Sequence, residues 1–380
     1  MPVTDAGAAD AYVPPLEGGV YMPGLGGSVP SGYPQPTAAN RAMCQTTTMM
    51  PGGLCPGGGA GPVCIECLFG GPTYNSALTP TPQAIALAGN YVVTVQLGGA
   101  AAGQTFIAAE SSRALLAPVT TAAGASTEYA FVVNARPMEG QPNHAGGPGG
   151  YPGLDLFFSG PAATPPQITA IGYSLASAAT QPIMVYMASD STTCDQTGNV
   201  FGGWGQMLPE YFAPPVGIAN YANSGASSAG FPYWSDIKAK WTKGDWVIIQ
   251  FGHNDKGVTD AVVQANLEGY VSDALAAGVT PIVVSPPARV QFVGSVEGDQ
   301  SGLHAAAAKA AAAAKGVAYI DLTTLSIAWY NSLGSEAAAM QFHAGGTDRT
   351  HTNLAGAAKL AGLVASAIKT QKIPLAQYLR

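Results

Sequence analysis

The stretch Met184-Val-Tyr-Met-Ala-Ser-Asp-Ser-Thr192 decides the fold class of this chain. Its first five residues are apolar and its last four are small and polar, which is typical of a buried strand that runs into a tight turn. In α/β proteins such a turn lies at the carboxyl edge of the sheet, where ligands bind. Ser191 is therefore a candidate nucleophile, although a serine after a strand is more often the N-cap of a helix.

Further apolar runs follow this strand and alternate with helical stretches. The predicted strands cover residues 183–188, 216–219, 246–251, 281–285 and 317–322, and the predicted helices cover residues 206–212, 261–277, 303–315 and 353–369. Strands that are apolar on both faces and are joined by helices form a parallel sheet covered on both sides. The fold class predicted for residues 179–380 is therefore α/β.

Shorter runs of alternating apolar and polar residues precede this region. They cover residues 91–97, 105–109, 129–134, 154–158 and 167–173, and Gly, Ser and Pro turns separate them. Alternation with a period of two, interrupted by turns, indicates half-buried strands. The pattern predicts a smaller all-β sandwich domain over residues 81–178.

Residues 1–80 are rich in Gly and Pro and contain Cys44, Cys55, Cys64 and Cys67. We expect an irregular segment that disulfides order, because it cannot bury a core of its own. The first pairing considered is Cys44–Cys55 with Cys64–Cys67, but three pairings are open, and a structural zinc is the alternative. The first residues lack the features of a signal peptide. The cysteines favour a secreted or periplasmic protein whose signal peptide is absent from this sequence over a cytosolic one.

The composition excludes two classes of partner. The 380-residue chain has a net charge of −7, and 10% of its residues are charged. Nucleic acid is not an expected partner, because phosphate binding needs clustered Lys and Arg. The longest nonpolar stretch, residues 304–316, is interrupted by Lys309 and Lys315, so no association with a membrane is expected. The oligomeric state stays open.

Other polar residues stand where further predicted strands end. Gly225 offers an unobstructed backbone N–H, Asn254 offers a side-chain amide, and Asp348 and His351 precede the last helix. A serine needs a base to remove its proton, and the tetrahedral intermediate of ester hydrolysis needs hydrogen-bond donors. Taken singly, these residues are typical of turns, caps and surface polarity. Their occurrence at successive strand ends predicts one hydrolytic site.

Ser191, Gly225, Asn254 and His351 fall in the four blocks of the SGNH, or GDSL-like, hydrolase family, which this chain resembles. The similarity to the rhamnogalacturonan acetylesterase branch extends over residues 188–192, 203–208, 220–228, 244–255 and 348–351. The β-rich segment also resembles the small β domain that precedes the catalytic domain in many bacterial members.

This resemblance implies a flavodoxin-like, three-layer α/β/α fold without metal or cofactor. It implies a serine esterase that removes acetyl groups from a plant polysaccharide such as rhamnogalacturonan, pectin or xylan, with an acetylated polysaccharide or oligosaccharide as the partner. Ser191 would be the nucleophile, His351 the base and Asp348 its orienting carboxylate. Ser191, Gly225 and Asn254 would form the oxyanion hole. The alternatives are a broad short-chain carboxylesterase and a non-catalytic polysaccharide-binding relative.

Three more residues are candidate substrate contacts. His253 stands beside Asn254 but could pack within its loop. Arg289 follows a predicted strand and could bind the carboxylate of an acidic sugar or form a surface ion pair. Trp234 could stack on a sugar ring, although aromatic residues of the core are commoner.

One position departs from the family pattern. Where the family usually has a glycine before Asp190, this chain has Ser189. If the backbone there needs a positive φ, the serine would carry strain of about 1 kcal/mol or more.

Overall fold

The computed structural model describes residues 89–110, 113–136, 154–176, 181–196, 201–293, 296–297, 300 and 302–380, and the backbone of five short strands before residue 70. The first strands are β1 Val20–Tyr21, β2 Met43–Thr47, β3 Met49–Met50, β4 Gly53–Leu54, β5 Val63–Phe69, β6 Gly89–Gly98, β7 Gly103–Ala109, β8 Arg113–Thr121, β9 Ser126–Ala135, β10 Leu154–Gly160 and β11 Ile168–Leu175. The later strands are β12 Ile183–Ala188, β13 Val216–Asn220, β14 Trp246–Ile249, β15 Thr280–Val284, β16 Phe292–Val293, β17 Val296–Glu297 and β18 Ala318–Ile320.

The α-helices are α1 Trp204–Met207, α2 Trp234–Lys238, α3 Asp260–Ala276, α4 Ala305–Lys315, α5 Leu322–Leu333, α6 Ser335–Ala339 and α7 Leu354–Thr370. Short 3₁₀ helices cover Leu208–Tyr211, His343–Gly346 and Pro374–Tyr378. Among the described residues, no helix combines the length and the apolar character that crossing a bilayer requires.

A nine-stranded mixed sheet with the order β1-β11-β6-β9-β13-β12-β14-β15-β18 forms the centre of the protein. The strands β13, β12, β14, β15 and β18 pair in parallel. Counted along the chain, these strands have the order 2-1-3-4-5 of flavodoxin-like folds. The predicted α/β class is therefore confirmed. In such a sheet the ligand crevice opens where the strand order reverses, which here is at the carboxyl end of β12.

Side chains on both faces of β12 explain the helical layers on either side. Val185 and Met187 belong to the core that contains the apolar faces of α1 and α7. Met184 and Tyr186 belong to the core that contains the apolar faces of α3 and α4. The continuous apolar character of the strand in the sequence thus corresponds to burial on both faces.

Three of the predicted helices agree with long helices of the structure. The predicted ranges 261–277, 303–315 and 353–369 match α3, α4 and α7. The predicted helix 206–212 is divided, because Pro209 stands in the first turn of the 3₁₀ helix after α1 and cannot donate to an α-helical hydrogen bond. Helix α5 was not predicted, although Asp321 caps it by accepting from the Thr324 N–H at 3.0 Å.

Two sheets pack against each other in the region predicted to be a β-sandwich. The second sheet has the order β2-β5-β10-β7-β8. Its side chains, such as Ile107 and Leu156, meet Val95 and Phe131 of the central sheet in one core. The strands β2 and β5 come from the segment that was predicted to be irregular, and that prediction is wrong for these residues.

The central sheet continues across residue 178, the predicted domain boundary. β9 pairs antiparallel with β6 and parallel with β13, where Gly217 stands opposite Val132. A Cβ on Gly217 would lie 2.4 Å from a methyl carbon of Val132, so the close contact of the strands needs a glycine there. The three-domain division stays a prediction, and residues 81–178 and 179–380 share one sheet.

The cysteine predictions concern residues whose side chains lie outside the described part of the chain. Cys55 is not described, and Cys64 and Cys67 are described only as backbone, three residues apart on β5. An extended strand separates such Cα atoms by about 10 Å, whereas a disulfide needs about 7 Å or less. The Cys64–Cys67 pairing therefore does not fit this strand. Cys44 stands opposite Cys67 in the register of β2 and β5. The disulfides and the zinc alternative stay predictions.

Candidate active site

Ser191, His351 and Asp348 lie in contact at the carboxyl edge of the central sheet. Ser191 follows β12, and the other two residues lie in the loop before α7. Nε2 of His351 lies 2.9 Å from Oγ of Ser191, and its Nδ1 lies 2.7 Å from Oδ2 of Asp348. The structure therefore brings together the three residues that the sequence predicts to be catalytic, in the hydrogen-bonding order of serine, imidazole and carboxylate.

Asp348 holds both its own loop and the imidazole. Its Oδ1 accepts from the backbone N–H of Thr350 at 2.8 Å and from that of His351 at 3.0 Å. Burial raises the pKa of the Asp348 carboxyl, but hydrogen bonds from His351 and Thr350 outweigh burial and hold this pKa below its ordinary value. The ionised carboxylate favours the tautomer with a proton on Nδ1, which leaves Nε2 of His351 able to accept a proton.

The loop that carries His351 is fixed to residues 201–203. Thr352 and Gly202 exchange hydrogen bonds of 2.8 Å, one from the Thr352 hydroxyl and one from the Gly202 N–H. A Cβ on Gly202 would lie 2.8 Å from a side chain of α7, so the two segments can approach only at a glycine. The ring of Phe201 lies 5.3 Å from the ring of His351. The imidazole is therefore held in place by two segments that are far apart in sequence.

Ser189 needs no unusual backbone conformation in this structure. The non-glycine residues with positive φ among those described are Glu110, His304, Ala344 and Lys372. The strain considered for Ser189 is therefore absent. Its fully buried hydroxyl lies 2.7 Å from Oγ1 of Thr193, and its carbonyl accepts from the Asn223 N–H at 2.9 Å. The serine thus adds a hydrogen bond to residues 189–196, which we call the serine turn.

Asp190 is a buried carboxyl beneath Ser191. Its Oδ1 accepts from the N–H and the hydroxyl of Thr192 at 2.9 and 2.7 Å. Burial raises the pKa of Asp190 to about 6, while the hydrogen bonds from Thr192 and the charge of His351 act in the opposite direction. Within the described part of the chain, Oδ2 of Asp190 has no hydrogen-bond partner. Asp190 therefore holds Thr192 in the serine turn, although burial makes its negative charge unfavourable.

Gln250, directly after β14, connects the serine turn to the core and was missed in the sequence. Its Oε1 accepts from the indole N–H of Trp204 at 2.8 Å and from Thr193 Oγ1 at 3.3 Å, and its Nε2 donates to Thr192 Oγ1 at 3.1 Å. Gln250 and Trp204 are fully buried. A polar residue inside the apolar run 246–251 was the signal that could have identified this role, because buried amides need partners.

Two candidate oxyanion donors lie in the loops that follow β13 and β14, the strands next to β12. Gly225 follows β13 with a φ of +77° and open space around its Cα. Asn254 follows β14 and donates one amide hydrogen to the Ala226 carbonyl at 2.9 Å, which leaves its second amide hydrogen available. Among the described residues, no acceptor is bonded to the N–H of Ser191 or Gly225. These groups are available to an oxygen atom at Ser191.

His253 is buried, and Arg289 lies across it at the edge of the site. Arg289 donates from Nη2 to the His253 carbonyl at 3.3 Å and from Nε to Thr350 Oγ1 at 3.3 Å. Burial, followed by the charges of Arg289 and His351, lowers the pKa of His253 to about 3. Its ring lies near the Pro287 carbonyl, but neither ring nitrogen makes a well-formed hydrogen bond to a described residue. His253 is therefore a neutral, buried residue at working pH.

Trp234 has the contacts of a packed helix residue. Its indole N–H donates to Asp273 Oδ2 at 2.9 Å, and its ring lies 5.2 Å from that of Trp241 and 4.6 Å from that of Tyr270. These contacts connect α2 to α3. The structure does not bring Trp234 into the hydrogen-bonded group around Ser191, and its role as a sugar platform stays a prediction.

The chain is similar to several known proteins. The model of the GDSL-like lipase/acylhydrolase family matches residues 190–359. The probable rhamnogalacturonan acetylesterase YesY of Bacillus subtilis (strain 168) is 30% identical over 209 residues, which are 51% of this chain and 95% of that protein. The rhamnogalacturonan acetylesterase RhgT of the same organism is 32% identical over 221 residues, which are 52% of this chain and 95% of that protein.

One solved structure is similar over most of the chain. The crystal structure of protein YxiM from Bacillus subtilis covers 93% of this chain and 98% of its own, with 23% identity and a TM-score of 0.50. This similarity concerns the fold, and it includes the β-rich part as well as the parallel sheet.

We expect Asp190→Asn to change how stability depends on pH. Because the pKa of Asp190 is about 6 in the folded protein and about 3.9 when unfolded, the folded state binds more protons between these values, and stability is lost as the pH rises through this window. Asparagine retains the acceptor for Thr192 without a charge. The melting temperature of the variant should therefore rise relative to the parent protein from pH 4 to pH 7.

The control is Asp236→Asn, which removes a charge from an exposed position on α2. Calorimetric melting of the three proteins at matched pH values tests the prediction. A constant difference in melting temperature between Asp190→Asn and the parent protein at every pH would contradict it.

Proposed function

The chain belongs to the GDSL-like lipase/acylhydrolase family and is a carboxylic ester hydrolase, and we propose that it removes acetyl groups from a plant polysaccharide through an acyl-enzyme on Ser191. The observation that carries this proposal is the pair of contacts at His351, 2.9 Å to Ser191 Oγ and 2.7 Å to Asp348 Oδ2. A secreted or periplasmic location is part of the same proposal and rests on the cysteine content alone.

In the acylation half, Nε2 of His351 takes the proton of Ser191 as Oγ attacks the acetyl carbonyl carbon. The negative charge that forms on the carbonyl oxygen is stabilised by the N–H groups of Ser191 and Gly225 and by the remaining amide hydrogen of Asn254. Collapse of the tetrahedral intermediate breaks the bond to the sugar oxygen, which takes the proton from His351. The sugar hydroxyl leaves, and the acetyl group stays on Ser191.

In the deacylation half, a water molecule takes the place of the sugar. His351 removes its proton while the water oxygen attacks the acetyl carbonyl, and the same donors bind the oxyanion. The proton then returns to Ser191 Oγ, and acetic acid leaves and ionises to acetate in solution. Asp348 stabilises the imidazolium in both halves, since it is ionised and hydrogen-bonded to Nδ1.

Arg289 supports an acidic sugar as the substrate. Its guanidinium lies between His253, which precedes a candidate oxyanion donor, and Thr350, which precedes the proposed base. It is half-buried, burial lowers its pKa, and no ion pair among the described residues includes it. A desolvated guanidinium with unused N–H groups fits a carboxylate, which it binds in a bidentate manner.

The relatives' names agree with such a substrate. YesY and RhgT carry the name of an acetylesterase that acts on rhamnogalacturonan, a polymer that contains uronic acid. We therefore propose that Arg289 binds the carboxylate of a uronic acid residue close to the acetylated sugar.

Ser191→Ala tests the proposed reaction. Removal of the Oγ nucleophile should lower kcat for an aryl acetate by several orders of magnitude, while the melting temperature stays close to that of the parent protein. Asp348→Asn should also lower kcat strongly, because the amide favours the wrong tautomer of His351. Turnover of Ser191→Ala at the rate of the parent protein would rule out the acyl-enzyme.

The acyl-chain profile separates an acetylesterase from a broad carboxylesterase. Arg289, Thr350 and Asn254 are polar residues of the loops at the same edge of the sheet as Ser191, and Gly225 is exposed, so longer chains gain little of the ~0.8 kcal/mol per CH₂ that burial supplies. We expect kcat/KM for aryl esters to fall steeply from acetate to octanoate. A flat or rising profile would favour the broad carboxylesterase.

Arg289→Gln tests the acidic substrate. For an acetylated oligosaccharide with free uronate carboxylates, kcat/KM should fall by about 10- to 100-fold, the range for a charged hydrogen-bonded pair. The loss should be at least tenfold smaller on the same oligosaccharide after methyl esterification of its carboxylates. Lys369→Gln, on the exposed end of α7, is the control for the change in net charge. Equal losses of Arg289→Gln on both oligosaccharides would show that Arg289 binds no carboxylate.

A further inference from the structure

A second arginine, Arg113, connects the β-rich part of the chain to the active site. We call the two layers of this part the upstream sheets: the second sheet, and the strands β11, β6 and β9 of the central sheet. It begins β8 in the second sheet and is 2% exposed. Its Nη2 donates to the Asn134 carbonyl at 2.6 Å and its Nη1 to the Ile218 carbonyl at 3.2 Å, on the neighbouring strands β9 and β13 of the central sheet. The guanidinium therefore spans the junction between the sandwich and the parallel sheet.

The third contact of Arg113 is with the serine turn. Its Nε lies 3.2 Å from Oδ2 of Asp195, and both side chains are 2% exposed. The Nε–H is not aligned for a hydrogen bond to Oδ2, so charge attraction holds this contact. Asp195 stands four residues after Ser191 in the same turn. The carboxylate at the end of the serine turn thus has its buried countercharge on a strand of the other sheet.

Asn220 makes hydrogen bonds to both Asp195 and the backbone of the serine turn. Its Nδ2 lies 2.8 Å from Asp195 Oδ1 and 2.8 Å from the Thr193 carbonyl. The next residue of the turn, Gln196, donates from Nε2 to the carbonyl of Ser191 at 2.9 Å. The backbone of Ser191 is therefore connected to a hydrogen-bond network that contains the buried positive charge of Arg113.

Arg136 supports the same region from the end of β9. It donates from Nη2 to the Asn220 carbonyl, and its guanidinium lies 4.3 Å from the ring centre of Tyr221. The side chain of Asn220 in turn accepts from the Ala222 N–H at 3.2 Å. Two arginines of the upstream segment thus bind the end of β13, which leads to the candidate oxyanion donor Gly225.

Loss of the Arg113 charge would act on Asp195 first. A buried carboxylate is less favourable without this countercharge, so Asp195 would draw in water or turn towards solvent. Because Asp195 lies in the serine turn, either change would displace Ser191 from His351. A displacement of about 1 Å at a reacting atom can lower the rate about 100-fold.

We propose that Arg113 is a positioning residue for Ser191, and that the upstream sheets are therefore part of the active-site structure rather than a separable module. The inference rests on the proposed role of Ser191. Ser191→Ala assayed with an aryl acetate tests that role separately, since this variant keeps Arg113.

The experiment measures kcat, KM and the melting temperature of Arg113→Met and Arg113→Lys with an aryl acetate. Titration with an irreversible serine reagent counts the folded sites, so that kcat refers to folded protein only. Arg113→Met should lower kcat per titrated site by about 100-fold with a smaller change in KM, because the ester itself does not contact Arg113. Arg113→Lys, which keeps the charge, should recover part of kcat, and it also tests the proposal if Arg113→Met fails to fold.

Leu97→Ala is the matched control, since Leu97 is fully buried in the core between the two upstream sheets. It should lower the melting temperature and leave kcat per titrated site unchanged. The double variant Arg113→Met/Asp195→Leu removes both charges, so its melting temperature should recover while its kcat stays low.

Three results would overturn the proposal. The first is an Arg113 variant with the kcat of the parent protein per titrated site. The second is a loss of kcat in Leu97→Ala as large as that in the Arg113 variants. The third is a double variant in which kcat recovers together with the melting temperature, which would indicate that Arg113 acts on stability alone.

Discussion

The hydrogen bond between Ser191 Oγ and His351 Nε2 is the interaction on which the site depends, and it joins residues that are 160 positions apart. Its length of 2.9 Å requires that β12 and the loop before α7 keep their relative position. β12 is held because it is buried on both faces between two helical layers. The loop is held by the paired hydrogen bonds between Thr352 and Gly202. The packing of the parallel sheet therefore fixes the distance across which the proton of Ser191 is transferred.

Burial of polar groups is the second constraint. Ser191 must be reachable, but the residues beneath it are fully buried, and each needs hydrogen-bond partners. Gln250 supplies several of them, since its amide accepts from Thr193 and donates to Thr192 within the serine turn. Burial makes the ionised form of Asp190 unfavourable and therefore raises its pKa. The hydrogen bonds to these buried groups favour one arrangement of the turn, and the burial of Asp190 lowers the stability of the protein in return.

The central sheet also explains why the β-rich part of the chain belongs with the catalytic part. β9 pairs with β13, and Gly217 lets the two strands approach. This junction places Arg113 beside the serine turn. An antiparallel extension of a parallel sheet buries an edge that would otherwise expose unpaired backbone groups. The second sheet packs on this extension and carries Arg113, whose positive charge lies 3.2 Å from the buried carboxylate of Asp195.

The sequence by itself determined the α/β class, the helices α3, α4 and α7, and the residues Ser191, Asp348 and His351, which the structure brings into contact. Apolar runs report burial on both faces of β12, and polar residues at strand ends indicate where ligands bind. The tertiary structure alone decided that the sheet continues across residue 178, that Ser189 takes an ordinary conformation, and that Arg113 faces Asp195. The physical reason is the separation in sequence of the residues involved. Periodicity reflects how each residue is buried within its own segment, whereas strand pairing and buried charge partners depend on segments that meet only in the folded chain.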